Sequence, residues 1–198
     1  FGQDAVRYYL VRDIHTGRDS DYDINRLVML FNTELANNLG NLCNRALNMT
    51  KRYSGGITVA SDYDDETSQT LRASLDTCIE KYTAHMDSYE ISHAIEAVIE
   101  FISGTNVYAE HHKPWEIAKD ETKAEELNAV LVHMVEAVAL ASVLLKPIIP
   151  SACERIQAQL KAEHLGELSI HDLTWGILPI GHEVAKPKPI FPRIQLEE

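Results

Sequence analysis

Between Ile24 and Tyr53 the apolar residues Leu27, Phe31, Leu35, Leu39, Leu42 and Ala46 recur at three- and four-residue steps, with no proline and a single glycine in the run. That spacing draws one apolar stripe along a helix of many turns, and such a stripe is stable only when buried against other elements. The remaining chain divides in the same way. "SGG" at 54–56 ends the first long helix, and "SDYDDETS" leads into a second that reaches about Ala84. "DSYE" (Asp87 to Glu90) resembles a capping box opening a third, to about Glu110. Pro114 then breaks the chain, a fourth helix covers about 121–145, and a fifth about 151–163 after Pro147 and Pro150. Beyond Gly166 the pattern decays into "LTWGILPIGHEVAKPKPIFPRI", which holds four of the seven prolines. The expected fold is all-α: an antiparallel helix bundle over 16–165 with an extended C-terminal tail, 166–198, that needs another surface to lie on. Residues 1–15, with Ala5, Val6, Tyr9 and Leu10 at helical spacing, read as the end of a preceding unit, and the opening without Met reads as a piece of a longer protein.

Charge limits the partners such a bundle can take. Against 18 Lys and Arg stand 30 Asp and Glu, a net −12, and coating nucleic acid by broad phosphate neutralisation requires the opposite sign. Any nucleic-acid contact is therefore local, made by a few side chains. Cys43, Cys78 and Cys153 are widely spaced without a C-x-x-C pair, the pattern of buried thiols in a reducing compartment rather than of a disulfide framework or zinc knuckle. The strongest apolar run, roughly Val135 to Leu145, contains Glu136 and is too short to cross a bilayer, and no signal-peptide pattern opens the chain. A cytoplasmic protein is expected, with neither membrane nor DNA as a partner.

Self-contained chemistry finds little support. Counted as a calcium loop from Asp19, the acidic stretch puts Ile24 at the turn glycine and Leu30 at the bidentate glutamate; counted from Asp62 it gives Thr67 and Ala73. His111, His112 and His133 lack the H-x-x-x-H spacing that sets two imidazoles on one helical face, and His111 and His112 read as exposed residues on the approach to Trp115. No G-x-S-x-G and no phosphate-binding glycine loop occurs. Neither a catalytic residue nor a metal site is expected.

Polar residues at the shoulder of the apolar stripe are more informative. With Leu35 as centre, Leu39, Leu42 and Ala46 fall within roughly 40° of it, while Arg45, Asn41 and Asn48 lie roughly 80–140° away on one side. Asn41 and Arg45 thus point the same way from the edge of the buried face. Asn106 similarly borders the stripe of Ile91, Ile95, Val98 and Ile102. Trp115, following Pro114 among charged neighbours, has two readings. It plugs the base of the bundle while Asn41 and Arg45 hold a helix end. Alternatively its ring is a stacking face for a base, Asn and Arg supply donors and acceptors for base edges, and the helix start at Pro114 offers amides to phosphate.

Together these pieces resemble the C-terminal part of the methionyl-tRNA synthetases. "FNTELANNLGNLCNRAL" is similar to that family's N-x-x-L-A-N-x-L-G-N-L-x-x-R helix, and "NVYAEHHKPWEIAK" to its N-x-Y…P-W-x-x-x-K junction. "FGQDAVRYYLVRDI" looks like the segment after the family's KMSKS loop, and "LLKPIIPSACERI" and "PKPIFPRI" match later landmarks in order. The resemblance implies an α-helical domain that reads the CAU anticodon of methionine tRNA. It implies base contacts by Asn41 and Arg45, a stacking platform of Trp115 with Pro114 for the first anticodon base, and supporting roles for Asn106, which would hold the break before Pro114, and Asn48. Residues 1–15 would belong to the linking fold, and the tail would pack toward the catalytic domain. The full-length family members use ATP with Mg; this chain has no HIGH or KMSKS motif, "NMTKRYS" at 48–54 being a chance echo, so no cofactor is expected in it and it should be inactive alone. The competing readings are a helical protein-interaction module and the anticodon domain of another class I enzyme, leucyl or cysteinyl.

Overall fold

A computed structural model of the chain describes residues 2–14, 17 and 19–195. Phe1, His15, Thr16 and Arg18, from the opening segment and first loop, and 196–198 at the end of the tail lie outside the described residues. Helices α1 (Gln3–Asp13), α2 (Ile24–Leu30), α3 (Asn41–Tyr53), α4 (Glu66–Asp87), α5 (Ile91–His112), α6 (Pro114–Ile117), α7 (Ala124–Leu144) and α8 (Pro150–Leu160) form the expected bundle, with no strand among the described residues.

The helix expected over 24–53 is unbroken, but its middle, Phe31–Gly40, is π-helical and joins α2 directly to α3. Most π segments are single turns inserted in α-helices, often at functional sites, so a ten-residue stretch is long. Leu35, Leu39, Leu42 and Ala46 are fully buried on its inner side, as the stripe requires. A Cβ on Gly40 would sit 3.1 Å from the Leu35 carbonyl oxygen and 3.3 Å from the ring of Phe191. The missing side chain lets the tail approach the helix.

At the centre lies α7, buried from Ala129 to Leu144 on nearly every side, and it packs against α3, α5, α6 and α8. A helix apolar all round belongs in a core or a membrane. The span Glu121–Leu144 is in fact long and apolar enough to cross a bilayer, which corrects the shorter sequence estimate, but 83% of its apolar window is buried within this fold. The three cysteines are buried thiols.

Two local expectations are corrected. Asp87 closes α4, and the residue before α5 is Glu90, whose side chain makes no capping bond; its carboxylate instead meets the His85 ring. On α1 the inward residues are Ala5, Tyr8 and Tyr9, whereas Val6 and Leu10 are exposed. Polar anchors set that rotation. The Asp4 carboxylate accepts from the Ala152 amide in the first turn of α8, Arg7 donates to the carbonyls of Pro147 and Ile148, and the Tyr8 hydroxyl donates to Glu34.

The tail lies on the bundle's own helices. Ile57 and Glu183 form an antiparallel bridge, Asn32 exchanges two hydrogen bonds with Ile194, and Phe191 meets Phe31 edge-on at 5.9 Å. The buried Glu136 of α7 accepts the amides of Gly176, Ile177 and Leu178 at 2.5–3.3 Å. Removing that carboxylate leaves three donors unpaired, of which the Leu178 amide is buried and those of Gly176 and Ile177 are only partly shielded from water. Glu136→Ala should therefore cost about 3 kcal/mol or more in urea unfolding, with exchange protection lost first at 176–178; unchanged stability would mean that water replaces the carboxylate.

Candidate nucleic-acid interface

The break before Trp115 is built by three elements. At its end α5 turns into Lys113, whose φ of 50° is left-handed, and Pro114 follows at the first position of α6. Pro is suited to that position because it has no amide to leave unpaired. The turn is held by His112, which the sequence placed on the surface with His111. His111 is exposed, but His112 is buried. Its ring nitrogens meet Thr67 Oγ1 at 2.8 Å and Glu126 Oε1 at 3.2 Å, with Asp65 Oδ2 at 3.6 Å. The inward face of α5 continues through Tyr108 and Ala109 to this last residue, so His112 fastens α5 to the starts of α4 and α7. No local motif signals it, because its partners come from two other helices.

Pro114 is buried and Trp115 is half-buried. The Arg45 guanidinium carbon lies 5.2 Å from the Trp115 ring centroid, a cation–π distance, and its Nη2 pairs with Glu110 Oε1 at 2.9 Å. Arg45 is thus held between α3 and the junction with its side chain only 16% exposed, whereas Glu110 is 61% exposed. Asn41, one turn earlier on α3, is exposed and lines a groove of about 450 Å³ with Asn37, Gly40, Asn44, Phe191 and Arg193. Asn48 is exposed and donates to Asn44 Oδ1 at 2.8 Å.

Asn106 does not reach the junction. Its amide nitrogen donates to Asn38 Oδ1 at 2.8 Å and, more weakly, to the Asn38 and Ile102 carbonyls. Asn38 itself donates to Ser103. Asn106 therefore ties α5 to the π-helical segment, a correction to the expected hold on Pro114, and its own Oδ1 is sealed from solvent without a partner. Asn38 was not singled out although it lies in the quoted helix motif; only the tertiary contact shows that it bonds Asn106 and Ser103.

The helix-terminus contribution also needs correcting. Helix α6 is a single turn, and its Glu116 and Ile117 amides already donate to the Lys113 carbonyl. A macrodipole strong enough to draw phosphate does not accumulate over four residues. What the junction offers is an aromatic face, a guanidinium and exposed amides.

Residues 59–198 match the family model described as the anticodon binding domain of methionyl tRNA ligase. The chain belongs to this family. Residues 1–47 match a second model, tRNA synthetases class I (M). Asn41 and Arg45 fall in the first-named stretch's predecessor, 1–47, and Trp115 in 59–198, and the bundle brings Arg45 and Trp115 into contact. The methionine–tRNA ligase of Fusobacterium nucleatum is 34% identical over 200 residues, covering all of this chain and 31% of that protein. That of Lactococcus lactis is 36% identical over 198 residues, covering 30% of its length. The chain thus spans less than a third of these relatives. The crystal structure of the free-state Mycobacterium tuberculosis methionyl-tRNA synthetase matches with a TM-score of 0.85 and 28% identity over 98% of this chain and 39% of that one. The same enzyme bound by methionyl-adenylate matches with a TM-score of 0.87, over 96% of this chain and 38% of that one.

Proposed function

We propose that this chain reads the CAU anticodon of methionine tRNA within a longer methionine–tRNA ligase. The observation that carries the reading is the Arg45–Trp115 contact beside the Pro114 turn, in a chain of the anticodon-binding family. Trp115 and Pro114 form the platform on which the first anticodon base stacks, and Arg45 and Asn41 contact the bases. Asn106, through Asn38, and Asn48, through Asn44, support the α3–α5 surface that presents them. Recognition by a stack and a few polar contacts is compatible with the net charge of −12, because it does not rely on counterion release from a long phosphate track.

In that longer protein, residues 1–15 join the domain to the catalytic part and the tail faces toward it. The match of 1–47 to the class I model supports this connection. The methionyl-adenylate held by the Mycobacterium tuberculosis enzyme supports a parent reaction that consumes ATP, with Mg, to attach methionine to tRNA in the cytoplasm. No residue of this chain is assigned to ATP or to the metal.

The direct test is a titration of the chain with an anticodon stem-loop, one loop and a short stem, carrying CAU, against the same hairpin with a permuted anticodon. The cognate loop should bind more tightly by at least about 10-fold, since each mismatched contact costs on the order of 1–3 kcal/mol. Equal binding of the two hairpins would rule out anticodon reading.

A further inference from the structure

The turn between α4 and α5 lies outside the proposed interface and brings together two imidazoles and a carboxylate. His85 sits in the last turn of α4, Glu90 just precedes α5, and His93 is in the first turn of α5. One ligand atom from each, two ring nitrogens and a carboxylate oxygen, lie within 4.8 Å of one another. His85 Nδ1 is 2.7 Å from Glu90 Oε2, and His93 Nδ1 is 4.0 Å from the same oxygen. The two rings are 5.3 Å apart and inclined by 36°.

We propose that His85, Glu90 and His93 form a binding site for one divalent cation of the zinc class, which pins the α4–α5 turn. Tetrahedral coordination with bonds of about 2.0–2.1 Å places neighbouring ligand atoms about 3.3 Å apart. The observed 2.7 and 4.0 Å bracket that value, so side-chain rotation closes the set without moving a helix. The backbone is already fixed at the ligands. The Glu90 amide donates to the His85 carbonyl at 2.8 Å, and the His93 and Ala94 amides donate to the Glu90 carbonyl. Two imidazoles with one carboxylate favour Zn²⁺, Ni²⁺ or Cu²⁺ over Mg²⁺ or Ca²⁺, which prefer oxygen ligands. With three protein ligands on one side, water fills the remaining positions, and all three side chains are sufficiently exposed for an ion to enter. The helical-face spacing rule does not detect the site because His85 and His93 are on different helices.

The test is a calorimetric titration of ZnCl₂ into chelator-stripped chain carrying no histidine tag. One equivalent should bind, and His85→Asn or His93→Asn should weaken it by at least about 10-fold, the loss seen even when a residue behind the ligands is removed. His164→Asn with His171→Asn, which alters two exposed histidines elsewhere, should leave it unchanged. The buried Cys43, Cys78 and Cys153 do not compete in the folded chain. Cobalt gives a second readout: visible absorption bands of the bound ion should appear with the unmodified chain and vanish with the His85→Asn/His93→Asn pair. Absence of a bound equivalent at 1:1 mixing and at about 100-fold excess, or an equivalent untouched by the double substitution, would overturn the proposal.

Discussion

Trp115→Ala should weaken binding of the CAU stem-loop by about 5- to 150-fold, the equivalent of one lost base stack at roughly 1–3 kcal/mol. The substitution removes the ring over which the Arg45 guanidinium lies at 5.2 Å. It leaves the Arg45–Glu110 pair and the His112 anchor of the turn in place, so the domain should remain folded. Trp115→Phe keeps an aromatic face and should recover part of the loss. The check is one titration series with cognate and permuted hairpins, with the melting temperature of each variant as a folding control. An unchanged affinity in a folded Trp115→Ala variant would return Trp115 to the role of a bundle plug.

The second large effect is on acid stability. The Tyr108 hydroxyl joins Ser68 Oγ at 3.0 Å to His133 Nδ1 at 2.9 Å in the interior between α4, α5 and α7. Burial, reinforced by the charge of Arg72, pushes the His133 imidazole down from 6.5 to about 4. Between these values the unfolded chain takes up a proton that the native chain refuses. The His133 contribution is therefore complete above about pH 6.5 and is lost as pH falls toward 4, by up to about 3 kcal/mol. Asp65 adds a lower window. Burial opposes its ionisation, but hydrogen bonds from Ser68 and Thr67 and the proximity of His112 outweigh it and hold the carboxyl at about 2 rather than 3.8; its share is lost as pH falls from 3.8 to 2. Glu136 has the opposite sign, because burial raises its carboxyl above the usual value despite three amide donors, and its share is lost as pH rises. Comparison with His133→Gln isolates the histidine. Urea midpoints measured from pH 7.5 to 4.5 should fall steeply for the parent chain and more shallowly for the variant, and parallel slopes would show that His133 does not carry the acid loss.

Much of the fold was legible because helices leave a periodic mark. The stripe through Leu35, Leu39, Leu42 and Ala46, the glycines at 55 and 56 and the prolines at 114, 147 and 150 place the long helices within a few residues of their observed ends. The same reading missed the π-helical stretch, since residues four apart remain compatible with either helix. It missed the rotation of α1, where the polar anchors Asp4 and Arg7 decide what faces inward. It also misplaced His112, whose burial depends on α4 and α7 rather than on its neighbours.

By itself, the sequence determined the helical bundle, the break at Pro114 and the pairing of Asn41 with Arg45 on one shoulder of α3, all consequences of spacing along a single chain. Only the tertiary structure decided that Arg45 lies over Trp115, that Asn106 bonds Asn38 instead of the junction, and that the tail is held by Glu136. Those contacts join residues far apart in the chain, and which of them form depends on how the helices pack around the buried α7.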